Sequence, residues 1–230
     1  MRRIALQHRL LDIPNQRSSH SQPTPRGGGI AILLTCYLGG VYLVFTGRIA
    51  IPHILALAGC GLGITIIGFL DDLFHLSASI RSVVHFGCAM LALNFLPFGS
   101  DILMPFGEGS FFAVMLVLLG VGVVWFINLY NFMDGIDGLA GVEAVSVALG
   151  AVFLLLYSGE TGSYFLLLLL LAASVLGFLM LNWPPARIFM GDACSGFLGF
   201  FFGTMALFTA QSTSMTLWTW LILLGVFVVD

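Results

Sequence analysis

Long apolar runs separated by short polar segments make up most of the chain. Eight runs occur, and most are close to the roughly 20 residues that an α-helix needs to cross a bilayer. Tilting, or local thinning of the bilayer, accommodates the shorter ones. The pattern predicts an all-α fold, a polytopic transmembrane bundle of about eight helices. The runs occupy residues 28–46, 51–70, 83–97, 111–130, 139–157, 163–181, 195–210 and 215–229.

The composition agrees with a membrane protein and excludes ordinary soluble domains. Of the 230 residues, 59% are hydrophobic and 8% charged, with a mean hydropathy of +1.06, whereas soluble domains carry about 25% charged residues. All eight basic residues are arginine, against eleven acidic residues, so we expect no nucleic-acid partner. Two parts are expected: a cytoplasmic N-terminal loop, residues 1–27, and a transmembrane domain, residues 28–230.

The arginines predict which side of the membrane each loop faces. In an eight-helix bundle alternate loops lie on alternate sides. One side receives residues 1–27 and the loops near 71–82, 128–138 and 182–194, and the other receives those near 47–50, 98–110, 158–162 and 211–214. Seven of the eight arginines fall on the first side and only Arg48 on the second. By the positive-inside rule, the first side is predicted to be cytoplasmic.

Five carboxylates are predicted at the cytoplasmic ends of the helices, in a chain that is poor in charge. They are Asp71, Asp72, Asp134, Asp137 and Asp192. Isolated carboxylates are costly in hydrocarbon, and their mutual repulsion favours a bound cation. Oxygen ligands without a supporting group of histidines or cysteines point to Mg²⁺ or Mn²⁺ rather than to zinc.

The most specific motif places four oxygen-bearing side chains at every third position. Asn128, Asn131, Asp134 and Asp137 follow this spacing, and glycines interrupt the segment. Each three-residue step falls about 60° short of a full helical turn, so a continuous helix cannot direct all four side chains at one ion. We therefore expect the helix to end or bend near Gly135, with at most two of these side chains on a metal.

Two further segments carry candidate residues next to helix ends. Asp71 and Asp72 are adjacent, so their side chains point about 100° apart. One is expected to face a cation or a phosphate, and the other a nearby cation such as Arg81. Asp192 opens a helix that follows two prolines, where a simple N-cap is the alternative interpretation. Arg187 suits a phosphate contact.

The N-terminal loop is polar and rich in turn-forming residues. Between Leu11 and Gly29 it contains arginines, hydroxyl side chains and three consecutive glycines. This composition is typical of a loop that approaches a phosphate, although it lacks the standard nucleotide-binding signatures. A generic cytoplasmic loop is the alternative interpretation.

Four motifs together resemble the polyprenyl-phosphate N-acetylhexosamine-1-phosphate transferases, and in particular the branch that initiates O-antigen synthesis. They occur in the family's order between residue 11 and about residue 200. The motifs are D-I-P-N-x-R-S-S-H-x-x-P-T-P-R-G-G-G, D-D-x-x-x-L-S, N-x-x-N-x-x-D-G-I-D-G-L and F-M-G-D-x-x-S-G-F-L-G.

The resemblance implies transfer of a sugar-1-phosphate from a UDP-N-acetyl sugar to undecaprenyl phosphate, with Mg²⁺ as cofactor and release of UMP. The site would face the cytoplasm at the bacterial plasma membrane, and the product would initiate an O-antigen or a cell-wall polymer. By resemblance, Asn131 and Asp192 bind the metal, Asp71 and Asp72 lie near the lipid phosphate, Asp134 and Asp137 lie around the nucleotide and ion, and Arg81, Asn128, Arg187, Arg26 and His20 contact substrate.

The chain departs from the family's pattern at Cys194, where glycine is more usual, and at both ends. The family has a helix before the D-I-P-N loop, and it has further helices with a histidine-containing cytoplasmic loop after the position of Asp230. We therefore expect an incomplete transferase with little or no turnover on its own.

Direct attack by the lipid phosphate is favoured over a covalent aspartyl intermediate, because a phosphomonoester is already largely dianionic at neutral pH. Two other functional classes stay open. A cation-coupled transporter would place its carboxylates near the bilayer midplane. A CDP-alcohol phosphotransferase shares Asp134, Asp137 and Gly138 but has Ala-Arg where this chain has Gly141 and Val142. The sequence determines neither the sugar nor the pathway. It leaves the oligomeric state open, and a homodimer is one of the possible states.

Overall fold

The computed structural model describes residues 11–12, 24–95 and 110–229, and within them the predicted all-α bundle is confirmed. The helices are α1 Ile30–Phe45, α2 Ile51–Phe74, α3 Ala78–Leu93, α4 Ser110–Met133, α5 Leu139–Tyr157, α6 Ser163–Asn182, α7 Asp192–Ser212, α8 Leu217–Leu223 and α9 Gly225–Val229. Two short strands, β1 Leu11–Asp12 and β2 Thr24–Pro25, pair antiparallel ahead of α1.

Five of these helices are long and apolar enough to cross a membrane, namely α2, α4, α5, α6 and α7. Helices α1 and α3 are apolar but shorter, with 16 residues each. Helix α2 is a single 24-residue span that contains a π-helical turn over Leu55–Cys60. The observed helices match the first seven predicted runs to within about five residues, with the largest difference at the start of α3.

The last predicted crossing, residues 215–229, differs from the structure. It consists of two short helices of 7 and 5 residues, α8 and α9, which meet at Leu224 and Gly225. Glycine is a poor helix former, and Leu224 already leaves the helical conformation. Even as one straight helix, this segment would extend about 20 Å, less than the roughly 30 Å hydrocarbon core. Hydropathy did not reveal the break because both halves are apolar.

Helix α7 forms the centre of the bundle, and 94% of its membrane-spanning stretch is buried. Helices α4 and α2 pack against it, and glycines permit their close approach. A Cβ at Gly199 would overlap the backbone of Phe126 and Ile127, and one at Gly68 would lie 2.7 Å from the Cα of Ala193. These obstacles are backbone atoms, which cannot rotate away, so both positions require glycine.

The described loops group at two ends of the bundle, in the alternation that the sequence predicts. At one end, Ser214 donates from its backbone N–H and its hydroxyl to the carboxylate of Glu160. At the other end, the loop after α6 contacts the segment before α1, the end of α2 and the turn after α4. The latter end carries all five aspartates of the predicted carboxylate group.

Candidate active site

Asp71 and Asp72 lie at the end of α2 and face different partners. Asp71 accepts hydrogen bonds from the backbone N–H of Leu76, at 2.7 Å, and from Nη1 of Arg81, at 2.5 Å. These two bonds close the turn between α2 and α3, and the carboxylate of Asp71 also interacts with that of Asp192. In that turn His75 adopts a left-handed conformation, with φ 51°. One member of this aspartate pair was expected to face a nearby cation such as Arg81, and Asp71 does so.

Asp72 instead faces the beginning of α7. The backbone N–H of Asp192 donates to Asp72 Oδ1 at 3.3 Å, and the N–H of Ala193 donates to the same carboxylate. A carboxylate at this position satisfies N–H groups that have no partner inside the helix, and it interacts favourably with the positive end of the helix dipole. Asp72 therefore connects α2 to the N-terminus of the central helix.

Asn131 and Asp134 reach the same place from the end of α4. The helix ends at Met133, two residues before the predicted break. Asn131 donates from Nδ2 to the hydroxyl of Ser195 at 3.0 Å, and its side chain also donates to the carboxylate of Asp192. Asp134 interacts electrostatically with Asp192 and Asp72. We call Asp72, Asp134 and Asp192 the carboxylate cluster.

The electrostatics of the carboxylate cluster are unfavourable without added positive charge. Burial, together with the carboxylates of Asp192 and Asp72, raises the pKa of Asp134 well above its ordinary range, and only the charge of Arg26 acts in the opposite direction. Arg26 is held at the site by backbone hydrogen bonds on either side of it. Phe189 donates to the carbonyl of Pro25 at 2.8 Å, and Gly28 donates to the carbonyl of Phe189 at 2.8 Å.

Other predicted site residues lie outside the carboxylate cluster. Asp137 accepts from the backbone N–H of Ala186 at 2.8 Å and so holds the loop that precedes α7. Asn128 is exposed and donates back to the carbonyl of Val124 on its own helix. Arg81 is engaged by Asp71, as described above.

Arg187 and His20 are the other two residues that are predicted to contact substrate. Arg187 is exposed and is not among the charges that act on Asp72, Asp134 or Asp192. His20 lies outside the described residues. Arg26 is therefore the predicted substrate-binding arginine that the fold brings to the carboxylate cluster.

Sequence reasoning missed two residues that build the site. Asn182, which is 4% exposed, accepts from the backbone N–H of Gly138 and donates to the carbonyl of Ile188, both at 3.0 Å. It thus joins the turn after α4 to the loop before α7. Ser195 positions Asn131. Ser195 lies one helical turn after Asp192, and that spacing could have indicated its role, whereas no local pattern links Asn182 to Gly138.

Asp192 and Asn131 are the side chains whose chemistry is compatible with holding a divalent cation. In the described part of the chain, no three His, Cys, Asp or Glu side chains are placed to hold one metal ion. Mg²⁺ in phosphate-transferring sites is usually held by one or two carboxylates, with waters and substrate phosphates completing the coordination. A site with one carboxylate and one amide oxygen, Asp192 and Asn131, is compatible with that chemistry.

Because Asp71 accepts hydrogen bonds from Leu76 and Arg81, its replacement should destabilise the folded protein. Replacing Asp71 with alanine leaves the N–H of Leu76 without its acceptor and Arg81 without its ion pair. We expect a loss of about 2 kcal/mol of unfolding free energy, because Arg81 is partly solvated and its pair contributes less than a buried one. Thermal unfolding of the purified protein in detergent measures this loss.

Asp71→Asn is the matched variant, since its amide oxygen still accepts from Leu76. It should unfold at a temperature between those of the wild type and Asp71→Ala. Equal unfolding temperatures for all three proteins would mean that Asp71 does not stabilise the turn.

Comparison with known proteins identifies relatives of the chain. Residues 54–210 match Glycosyl transferase family 4. A probable undecaprenyl-phosphate N-acetylglucosaminyl 1-phosphate transferase of Bacillus subtilis (strain 168) is 30% identical over 214 residues, which cover 90% of this chain and 57% of the relative.

Two other relatives carry related names. An undecaprenyl-phosphate alpha-N-acetylglucosaminyl 1-phosphate transferase of Yersinia pestis is 33% identical over 86% of this chain and 55% of the relative. A phospho-N-acetylmuramoyl-pentapeptide-transferase of Desulforamulus reducens is 33% identical over 81% of this chain and 60% of the relative. The chain thus spans little more than half the length of these relatives.

The family match runs from α2 into α7 and includes every residue of the carboxylate cluster, and the chain therefore belongs to glycosyl transferase family 4.

Proposed function

We propose that the protein transfers an N-acetylhexosamine-1-phosphate from a UDP-sugar to undecaprenyl phosphate and releases UMP. The observation that carries this proposal is the meeting of three carboxylates, an amide and Arg26 at one end of a membrane bundle. Two of the relatives are named for undecaprenyl-phosphate as acceptor. A polar site at the membrane surface suits a reaction between a soluble nucleotide sugar and a lipid phosphate.

Asn131 and Asp192 are the proposed ligands of Mg²⁺, with Mn²⁺ as a substitute. The ion, when bound, supplies the positive charge that a pyrophosphate and crowded carboxylates both require. The donor set supports this assignment, because Asn131 brings an amide oxygen next to the carboxylate of Asp192, and Mg²⁺ prefers oxygen ligands. Asp72 fixes the N-terminus of α7 and so sets the position of Asp192.

The reaction requires alignment and charge neutralisation more than proton transfer. An oxygen of the lipid phosphate attacks the sugar-bearing phosphorus of the donor, the bond from that phosphorus to the bridging oxygen breaks, and UMP leaves with that oxygen. The acceptor is already largely dianionic at neutral pH, so no aspartate needs to remove a proton. Arg26 is the proposed phosphate contact, because its charge acts on all three members of the carboxylate cluster.

The distribution of arginines supports a cytoplasmic position for this site in a bacterial plasma membrane. Arg26, Arg81 and Arg187 lie at the end of the bundle that carries the carboxylate cluster, and Arg48 lies at the other. Excess arginine marks the cytoplasmic side. The lipid-linked product would initiate a surface polysaccharide, either an O-antigen or a cell-wall polymer.

Release of UMP tests the proposal directly. The purified protein is incubated with Mg²⁺, undecaprenyl phosphate and a panel of UDP-N-acetyl sugars, and the nucleotide and lipid products are quantified. Any UMP that the protein releases, even at the low rate expected above, should be matched by an equal amount of lipid-linked sugar and should require both substrates.

Other products would contradict the proposal. Release of UDP would indicate transfer of the sugar without its phosphate. Release of CMP from a CDP-alcohol would indicate the phosphotransferase class. Ion flux into proteoliposomes without nucleotide release would indicate a transporter.

A further inference from the structure

A groove on the lipid-facing side of the bundle lies between α1 and α6. It encloses a cavity of about 310 Å³. Small residues form its walls, with Gly28 and Ala31 on one side and Ala173 and Gly177 on the other. From Gly28, just before α1, to Thr35 it extends about 10 Å. Ala31, Thr35, Ala173 and Gly177 are exposed, so the groove opens toward the bilayer.

The walls of the groove offer no unsatisfied hydroxyl group. Thr35 donates to the carbonyl of Ala31 at 2.8 Å, and Ser174 donates to the carbonyl of Leu170 at 2.7 Å. Both hydroxyls are thus satisfied by their own helices. A buried water needs two to four polar partners, and these walls do not supply them. The groove therefore suits a hydrocarbon chain.

Arg187 lies at the end of the groove that is nearer to the loops. Its backbone N–H donates to the carbonyl of Leu181 at 2.8 Å, and both Leu181 and the neighbouring Ile188 line the groove. Its guanidinium is exposed and forms no ion pair with any described residue. Trp183, 62% exposed, lies close by in the chain, and exposed tryptophans mark the headgroup level of a bilayer.

We propose that this groove binds one anionic phospholipid, with an acyl chain between α1 and α6 and the headgroup phosphate on Arg187. The charge of Arg187, which forms no ion pair with a described residue, lies next to an apolar groove and selects this occupant. A guanidinium at the headgroup level favours a phosphate, whereas the helix of a second copy would bury that charge without a partner. The site is separate from the carboxylate cluster and does not depend on the proposed transfer reaction.

Native mass spectrometry of the detergent-purified chain tests the proposal. Phosphatidylglycerol is titrated against phosphatidylcholine with the same acyl chains, and the dissociation constant of the first bound lipid is measured for each. For Arg187→Gln we expect about fivefold weaker binding of phosphatidylglycerol, which is the contribution of one basic residue at a membrane surface. Binding of phosphatidylcholine should not change.

The second variant, Gly177→Leu, fills the groove. No atom lies within 4 Å of a Cβ at Gly177, so the larger side chain enters open space and should leave the fold intact. Binding of both lipids should weaken at least fivefold. Gly87→Leu and Arg48→Gln are matched controls, because Gly87 is also exposed with nothing within 4 Å of its Cβ and Arg48 is exposed at the other end of the bundle. Neither control should change lipid binding.

Four results would overturn the proposal. The first is wild-type lipid binding in both Arg187→Gln and Gly177→Leu. The second is full displacement of phosphatidylglycerol by inorganic phosphate alone, which would show that the groove contributes nothing. The third is displacement by undecaprenyl phosphate at lower concentration, lost in Gly177→Leu, which would make the groove an acceptor site. The fourth is a dimer that Gly177→Leu converts to a monomer.

Discussion

Replacing Asp192 with asparagine is expected to lower UMP release by on the order of 100-fold or more, because a metal ion in such a site contributes several kcal/mol to charge stabilisation. Asparagine keeps the size of the side chain and the helix start but removes the charge beside Asn131. The rate should no longer respond to millimolar Mg²⁺. Binding of Mn²⁺, followed by electron paramagnetic resonance, should weaken in parallel and does not require turnover.

Asp137→Asn is the matched control for this experiment. Its amide oxygen can still accept from the N–H of Ala186, and Asp137 is not among the charges that act on the carboxylate cluster. We expect it to bind Mn²⁺ with nearly wild-type affinity. An unchanged magnesium titration and unchanged Mn²⁺ binding in folded Asp192→Asn would show that Asp192 is not a ligand.

Replacing Gly68 with alanine is expected to separate α2 from α7 and to disturb the carboxylate cluster. The added Cβ would lie 2.7 Å from both the Cα of Ala193 and the carbonyl oxygen of Asp192. Overpacking against a rigid neighbour costs about 1–3 kcal/mol. Asp72 follows Gly68 on α2 by one helical turn, so its hydrogen bond to the N–H of Asp192 should lengthen. Thermal unfolding and Mn²⁺ affinity measure the two effects.

Gly87→Ala is the control for the effect of replacing a helical glycine with alanine where no neighbouring atom is in the way. Gly87 lies on an exposed face of α3 with no atom within 4 Å of its Cβ. Alanine is a better helix former than glycine by up to about 1 kcal/mol, so this variant should unfold at the wild-type temperature or above it. If Gly68→Ala behaved in the same way, the close approach of α2 and α7 would not matter for stability.

The sequence predicted the helices well because their signal is local. An apolar run of membrane length forms a helix regardless of its neighbours, since no water is present to satisfy the backbone. The end of α4 near Gly135 followed from the positions of four polar side chains and three glycines. The break between α8 and α9 was missed because both parts are apolar.

The contacts among the aspartates could not be predicted from the local sequence. Their convergence at one end of the bundle could be predicted from loop alternation alone. Which of them meet could not, because Asp72 and Asp192 are separated by 120 positions in the chain. Asp137 has the same spacing from Asp134 as Asn131 has, yet it bonds to the loop before α7. That difference arises because α4 has ended and the chain turns away.

By itself, the sequence determined that the protein is an all-α membrane bundle, where most of its helices begin and end, and which family its motifs resemble. The tertiary structure decided which acids form the carboxylate cluster, that Asp71 closes a turn, and that Asn182 joins two loops. It also decided that α1 and α6 leave a groove beside Arg187. The physical reason is that helix formation depends on neighbours along the chain, whereas these contacts depend on how closely the packed helices approach at their glycines.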